Sequence, residues 1–247
     1  MKTSIATSLL LAGMCLSVSA IAEDKIHWSY SGPEGPEQWG ELAKEFSVCS
    51  TGKNQSPVNL TGMIESGLSE IKVDYKAGGS EIVNNGHTIQ VNYEPGSMID
   101  IGGHTFELKQ FHFHTPSENT IEGHSYPMEA HFVHADPDGN LAVIAVMFKE
   151  GEANAELEKA WARMPEQAGE HQALGSMVDA DILLPQQHDY YRFNGSLTTP
   201  PCSEGVWWLV MKHIDTASKE QIAKFEHTMH HANNRPLQAI NARMILE

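Results

Sequence analysis

Basic side chains are scarce in this sequence of 247 residues, which has 16 lysines and arginines against 32 aspartates and glutamates. The formal net charge is −16 at pH 7. A nucleic-acid-binding protein needs a stripe of basic residues that neutralises phosphates, and this composition does not supply one. We therefore predict no nucleic-acid partner. The acidity indicates solubility and by itself points to no particular activity.

Long hydrophobic runs are absent after the N-terminus, where no stretch approaches the roughly 20 apolar residues of a membrane span. Residues 5–20 form a shorter, uncharged apolar run after Lys2, and Ala20-Ile21-Ala22 follows as a small-x-small cleavage site. We predict that residues 1–22 are a signal peptide and that residues 23–247 form one domain. An uncleaved N-terminal anchor is the alternative. After cleavage we expect no membrane association.

Cysteine is also rare, with three in the whole chain. Cys15 lies in the predicted signal peptide, so Cys49 and Cys202 remain in the exported protein. An even pair in an exported chain predicts a disulfide between them. Two buried free thiols are the alternative.

The chain shows no repeat, low-complexity tract or linker. Short segments of alternating or continuous apolar residues, separated by turn signals, predict strands. These strands are expected at residues 71–75, 81–83, 88–93, 98–101, 105–114, 128–134, 141–148 and 207–211. Helices are expected at residues 37–46, at residues 152–164 and after Ser218, where Ser218-x-x-Gln221 forms a capping box. The pattern predicts a mainly β single domain with a few surface helices.

The segment Gln110-Phe111-His112-Phe113-His114 carries the strongest functional signal. Side chains alternate between the faces of a strand, so His112 and His114 share one face. His131 lies in a second predicted strand, whereas His134 has the opposite parity. If the two strands pair, three imidazoles converge and leave the fourth position of a tetrahedral Zn²⁺ open, as in catalytic sites. Half-exposed surface histidines are the alternative.

Polar residues near these histidines favour the metal site. A metal-bound imidazole usually donates its other N–H to an oxygen that fixes the ring. Gln110 lies on the same face as His112, and Glu129 lies on the same face as His131. We predict that these two side chains orient the ligands.

The sequence resembles the α-class carbonic anhydrases over residues 27–243. It is carried by His27-Trp28-Ser29-Tyr30, Asn54-Gln55-Ser56-Pro57-Val58-Asn59, Asn84-Asn85-Gly86-His87, the His-x-His segment, Ser117-Glu118-Asn119-Thr120, Glu129-Ala130-His131 and Gly195-Ser196-Leu197-Thr198-Thr199-Pro200-Pro201-Cys202. Each motif alone is a modest signal, but all of them in this order are specific for the family. The resemblance implies a central, twisted, mostly antiparallel sheet of about ten strands with zinc at the base of a conical cleft.

The resemblance also implies a function, which is the reversible hydration of carbon dioxide to bicarbonate by a zinc-bound hydroxide. It assigns zinc to His112, His114 and His131, and a proton shuttle to His87. Thr198 is expected to donate its hydroxyl proton to Glu118 and to accept from the hydroxide, which orients it. The expected substrate pocket consists of Val133, Val143, Leu197, Thr199 and Trp208. The Cys49–Cys202 disulfide matches the bacterial members, and with the export signal it implies a periplasmic or secreted enzyme.

One position departs from the family pattern, which commonly has histidine where this chain has Asn119. An amide can also donate a hydrogen bond, although its reach is shorter. We expect a small effect on stability and no loss of activity.

Several other interpretations stay open. Without the resemblance, His87 is more typical of a turn residue that caps a hairpin than of a proton shuttle. A zinc hydrolase with an ester substrate would need a wider cleft, and a metal-free binding module would lack one of the three histidines. His227, His230 and His231 could bind a second metal, but a solvated helix face is the simpler interpretation. The sequence does not distinguish a monomer from a homodimer.

Overall fold

A computed structural model of the protein describes residues 26–247, so the predicted signal peptide and the start of the domain lie outside the described residues. The strands are β1 Asn59–Leu60, β2 Ile71–Asp74, β3 Gly79–Asn84, β4 Ile89–Tyr93, β5 Met98–Ile101, β6 His104–His114, β7 Thr120–Ile121, β8 Met128–Ala135, β9 Leu141–Glu150, β10 His171–Val178, β11 Tyr190–Ser196, β12 Glu204–Met211 and β13 Asp215–Ala217. The α-helices are α1 Trp39–Leu42, α2 Val48–Thr51, α3 Ala155–Trp161, α4 Ala180–Leu183 and α5 Lys219–Met229. Short 3₁₀ turns cover Gly32–Glu34 and Lys44–Phe46.

Eleven strands form one large sheet with the order β10-β3-β4-β6-β8-β9-β12-β11. Strand β5 also pairs with β6, β2 pairs with β5, and β13 pairs with β9. Only the pairs β9–β12 and β9–β13 are parallel within this sheet. The expected mostly antiparallel sheet of about ten strands is therefore confirmed. A separate parallel pair joins β1 to β7.

The central strand β9 is apolar on both faces because both faces are covered. Ile144 and Val146 belong to the larger hydrophobic cluster, which lies between the sheet and helices α3 and α5. Val143 and Ala145 point to a second cluster on the opposite face. On β6, Phe111 and Phe113 are fully buried in the larger cluster. His112 and His114 alternate with these phenylalanines and therefore face the side of the second cluster, where the site lies.

The continuous helix expected at residues 37–46 is wrong. Helix α1 ends at Leu42, Ala43 is extended with φ −155° and ψ 155°, and a 3₁₀ turn follows. Trp39 explains the break, because its fully buried ring and its indole N–H, which donates to Ser29 O at 2.9 Å, fix this segment. Apolar residues at helical spacing here cover a small cluster around the disulfide and do not form one helical face.

The other two helix predictions are confirmed, with shorter bounds for the first. Asn154 caps α3 by accepting from the amides of Glu156 and Leu157, so the helix begins three residues after position 152. Ser218 and Gln221 form the predicted reciprocal capping box at the start of α5.

A disulfide joins Cys49 of α2 to Cys202, as predicted. Such a bond indicates an oxidising compartment. Across residues 26–247 no helix is long and apolar enough to cross a membrane.

Candidate metal centre and active site

Strands β6 and β8 bring three histidines to one point. In their antiparallel register His112 lies opposite His131, and His114 lies opposite Glu129. The ring centroids are 5.1 Å apart for His112 and His114, 5.4 Å for His112 and His131, and 4.5 Å for His114 and His131. One nitrogen from each ring lies within 4.8 Å of the others. Among the described residues, this is the one group of three or more such side chains close enough to hold a metal.

Each ring uses its other nitrogen in a hydrogen bond to an oxygen that can only accept. The pairs are His112 Nδ1 with Gln110 Oε1 at 2.8 Å, His114 Nδ1 with the Asn233 carbonyl at 2.7 Å, and His131 Nε2 with Glu129 Oε1 at 2.9 Å. The bonded nitrogen must therefore carry the proton, and the free nitrogen carries a lone pair. The free atoms are His112 Nε2, His114 Nε2 and His131 Nδ1. Gln110 accepts from His112 and Glu129 accepts from His131, and Asn233 is an additional partner.

Burial keeps the three imidazoles neutral. Desolvation lowers the pKa of His112 and His131 well below the usual value of 6.5, and it lowers the pKa of His114. Neutral imidazole is the form that binds a metal, so no proton has to be displaced from these rings at pH 7.

The Glu118 carboxyl faces the same space. Its Oε1 accepts from the Arg235 amide at 2.8 Å, whereas its Oε2 is buried without a hydrogen-bond partner. Oε2 lies 3.5 Å from His114 Nε2 and 3.9 Å from His131 Nδ1. Burial raises the pKa of Glu118 to about 8, and the hydrogen bond from the Arg235 amide opposes this shift. Thr198 is buried near this carboxyl.

These atoms fit a bound cation. His114 Nε2 is itself buried without a partner, and it faces another unpartnered atom, Glu118 Oε2. Without a cation, burial leaves Glu118 largely protonated at pH 7, whereas a cation in this space would favour its ionised form. Three imidazole nitrogens without a fourth protein ligand match the donor set of catalytic Zn²⁺.

An apolar row extends from the histidines across three neighbouring strands. Val133 of β8 pairs with Val143 of β9, which pairs with Trp208 of β12. The Trp208 ring lies 4.8 Å from the His131 ring, and its indole N–H donates to Ser196 O at 3.0 Å. Leu197 packs against the same cluster from the loop after β11. Val133, Val143, Leu197 and Trp208 therefore lie in one apolar cluster, in which Trp208 borders the His131 ring.

The loop after β11 also carries the two threonines. Thr198 is buried and Thr199 is half-buried. The Thr199 carbonyl accepts from the Cys202 amide at 2.8 Å, so the disulfide lies at the end of this loop.

His87 lies in the turn between β3 and β4. Asn85 Oδ1 accepts from the amides of His87 and Thr88 at 2.9 Å each, and Gly86 has a φ of +86° that favours glycine. The His87 ring stacks on Trp28, with the centroids 3.6 Å apart and the planes 8° apart. Burial, together with the nearby His27 and His231, lowers the pKa of His87 to about 4.

The remaining histidines do not join the site. His134 faces away, as its parity predicted, and bonds through Nε2 to the Tyr75 hydroxyl and through Nδ1 to Ala142 O. His227, His230 and His231 are exposed, and they do not form a three-residue group suited to a metal.

Sequence reasoning missed the roles of Asn233 and the Arg235 main chain. Asn233 holds His114 through its backbone oxygen and donates through Nδ2 to the His87 carbonyl at 3.1 Å. A contact through a backbone atom has no side-chain signature, so no motif could have indicated it.

Comparisons of the sequence and of the structure with known proteins all match carbonic anhydrases. Residues 34–247 match the family model described as eukaryotic-type carbonic anhydrase. A carbonic anhydrase of Neisseria gonorrhoeae is 51% identical over 241 residues, covering 97% of this chain and 94% of that protein. One from Pectobacterium carotovorum is 48% identical over 246 residues, covering 100% of both chains. The structure of a hyperthermostable carbonic anhydrase from an active hydrothermal vent chimney is 58% identical with a TM-score of 0.88, covering 90% of this chain and 99% of that chain.

Proposed function

Because the chain belongs to the α-class carbonic anhydrase family, we propose that it catalyses the reversible hydration of carbon dioxide to bicarbonate and a proton with a bound zinc ion. The supporting observation is that three imidazole lone pairs and the unpartnered Glu118 Oε2 point into one buried space. This arrangement has no role in the hydrogen bonding of the fold itself.

His112, His114 and His131 would hold the zinc. Bound there, zinc supplies Lewis acidity that lowers the pKa of water from about 15.7 to about 7, an effect for which carbonic anhydrases are the usual example. Gln110, Asn233 and Glu129 keep the three rings in the tautomers that ligation requires, because each accepts a hydrogen bond from the N–H that faces away from the shared space.

Thr198 and Glu118 would orient the reacting oxygen. A positive charge near Glu118 favours its ionised form, which makes Oε2 an acceptor for the Thr198 hydroxyl proton. With that proton committed, the Thr198 oxygen is available to accept a hydrogen bond from the nucleophile, whose lone pair is then directed towards the pocket.

The row of Val133, Val143 and Trp208, with Leu197, would hold carbon dioxide against the metal. A small apolar molecule needs no hydrogen-bonding partner, and this wall offers none except near Thr198 and Thr199. The bicarbonate product is charged, and the half-buried Thr199 would offer it a hydroxyl group beside the pocket.

His87 would carry the proton between the site and solvent. A base works best when its pKa lies near that of its donor. In the stack on Trp28 the pKa of His87 is about 4, so we propose that exchange takes place when the ring turns away from Trp28 into water.

We also propose that residues 1–22 direct export, that residues 23–247 form the mature enzyme, and that it works in the periplasm or outside the cell. The Cys49–Cys202 disulfide supports an oxidising compartment.

The test is stopped-flow hydration of carbon dioxide by the purified protein. We expect activity with one zinc per chain, loss of activity after the metal is removed with a chelator, and recovery on adding zinc back. Absence of activity in a folded protein with one zinc per chain would contradict the proposal. A metal-free protein with full activity would contradict it equally.

A further inference from the structure

Asn119, the residue that departs from the family pattern, makes two buried contacts with one side chain. It is fully buried, and its Nδ2 donates to Glu129 Oε1 at 2.8 Å. Its Oδ1 accepts from the Val58 amide at 3.0 Å. The amide therefore links strand β8 to the segment that leads into β1.

Glu129 is held by four donors, of which Asn119 provides two. Oε1 faces both Asn119 Nδ2 and His131 Nε2, the latter at 2.9 Å. Oε2 accepts from the amides of Glu118 at 2.7 Å and Asn119 at 2.9 Å. All these donors lie in the fully buried interior, where a missing hydrogen bond is not replaced by water. The position of the carboxylate is thus set by its donors.

The small sheet of β1 and β7 places Asn119. Thr120 pairs with Asn59, and the Thr120 amide donates to Val58 O at 3.2 Å. Val58 is fully buried in the same cluster as Val143 and Trp208. A continuous series of contacts therefore leads from the pocket wall through Asn119 and Glu129 to His131.

We propose that Asn119 is a positioning residue for the third metal ligand, because it fixes the Glu129 carboxylate and thereby the ring of His131. The amide donates and accepts at once, which a neutral imidazole at this position can also do. The inference rests on the proposed zinc site, but part of its test needs no metal.

The experiment compares Asn119→Leu with Thr120→Val in the full mature chain. Leucine has the same branching and the same number of side-chain heavy atoms as asparagine, and it removes both side-chain contacts. Thr120→Val is the matched control, because it removes the bond from Thr120 Oγ1 to Asn59 Oδ1 at 2.7 Å in the same small sheet without touching Glu129. Asn119→Ser, whose hydroxyl is too short to reach Glu129, serves if Asn119→Leu does not fold.

Two readouts distinguish positioning from simple destabilisation. The first is the rate at which a chelator removes zinc from the loaded protein. Loss of a partner of this kind typically costs 10–100-fold in metal affinity, and we expect about tenfold faster release. The second is the ¹⁵N NMR signal of the His131 Nε2–H in metal-free protein, which we expect to shift and to exchange faster with water. Thr120→Val should lower the melting temperature and leave both readouts at wild-type values, and Asn119→His should stay close to wild type.

Equal behaviour of the Asn119 and Thr120 variants in both readouts would overturn the inference. If wild-type protein binds no zinc, the proposed function fails, whereas the NMR comparison in metal-free protein still tests Asn119. The two failures are therefore distinguishable.

Discussion

His131 and His134 lie three residues apart on strand β8 and differ in what their nitrogens contact. Both are buried, and burial lowers the pKa of both. His134 uses both nitrogens, one with Tyr75 and one with Ala142 O at 3.2 Å. His131 forms a hydrogen bond only through Nε2, which contacts Glu129 Oε1 at 2.9 Å. The odd spacing places the two rings on opposite faces of the sheet.

Burial and a lowered pKa therefore do not distinguish His131, the proposed metal ligand, from the structural His134. The distinguishing feature is an unpaired lone pair that faces other unpaired acceptors. A hydrogen-bonded imidazole such as His134 completes the core. An imidazole with one free nitrogen, such as His131, has a lone pair that can still bind a proton or a metal ion.

The largest effect is expected for His131→Ala. It removes one of three ligands, so the loss of zinc affinity should exceed the about 10–100-fold typical of losing an outer partner. Carbon dioxide hydration should fall to background. Zinc content after dialysis and stopped-flow activity measure this, with His134→Leu as the control that keeps its zinc. Loss of zinc from the control alone would reverse the comparison.

Acid should weaken the fold through His134. Its pKa is about 4 in the folded protein against 6.5 ordinarily, so the unfolded chain binds more protons between these values. This contribution to stability is present above about pH 6.5 and is lost as the pH falls towards 4, which amounts to roughly 2 kcal/mol between pH 7 and 5. Urea unfolding at the two pH values measures it. His134→Leu should lose less stability than wild type over this range, and an equal loss would contradict the assignment.

Tyr75→Phe should make His134 resemble His131 by leaving its Nε2 without a partner. An unsatisfied buried group costs about 1–3 kcal/mol, so the free energy of unfolding should fall by that amount. Zinc content and activity should not change, because Tyr75 lies on the other face of the sheet. A fall in zinc content without loss of stability would show that the two faces are coupled.

The smallest effect is expected for His87→Ala. The ring is half-buried and stacked on Trp28. It differs from His131, which belongs to the cluster of three histidines, and from His134, which is hydrogen-bonded in the core. Its low pKa in the stack makes it a weak base, and we expect turnover in dilute buffer to fall by less than the 10²–10⁴-fold typical of general acid–base groups. Added imidazole should restore the rate. A rate that is independent of buffer in both proteins would exclude the shuttle.

The face of each histidine could be predicted from the sequence because strand periodicity is local. Phe111 and Phe113 alternate with His112 and His114, and burial of the aromatic face in the core leaves the other face to the site. The sequence alone could not establish that β6 pairs with β8, and the structure shows that they pair in antiparallel register. The order of the motifs indicated the family, and with it the placement of Glu118 and Thr198.

Strands β10 and β11 could not be predicted in this way. Most side chains of β10 are exposed, so it shows no apolar alternation. In β11 the pair Asn194-Gly195 is typical of a turn. The structure shows another reason for the glycine, since a Cβ on Gly195 would lie 2.2 Å from Ser56 Oγ. Such close approaches depend on distant parts of the chain.

Asn233 and Arg235 contact the site from near the end of the chain, 119 residues after His114 and 117 residues after Glu118 respectively. The three histidines are synthesised early, but the atoms that orient His114 and Glu118 arrive only when the last residues fold back. A chain that ends before residue 233 would retain every ligand and lack the geometry to use them. The site can therefore assemble only when segments more than 100 residues apart in the sequence pack together.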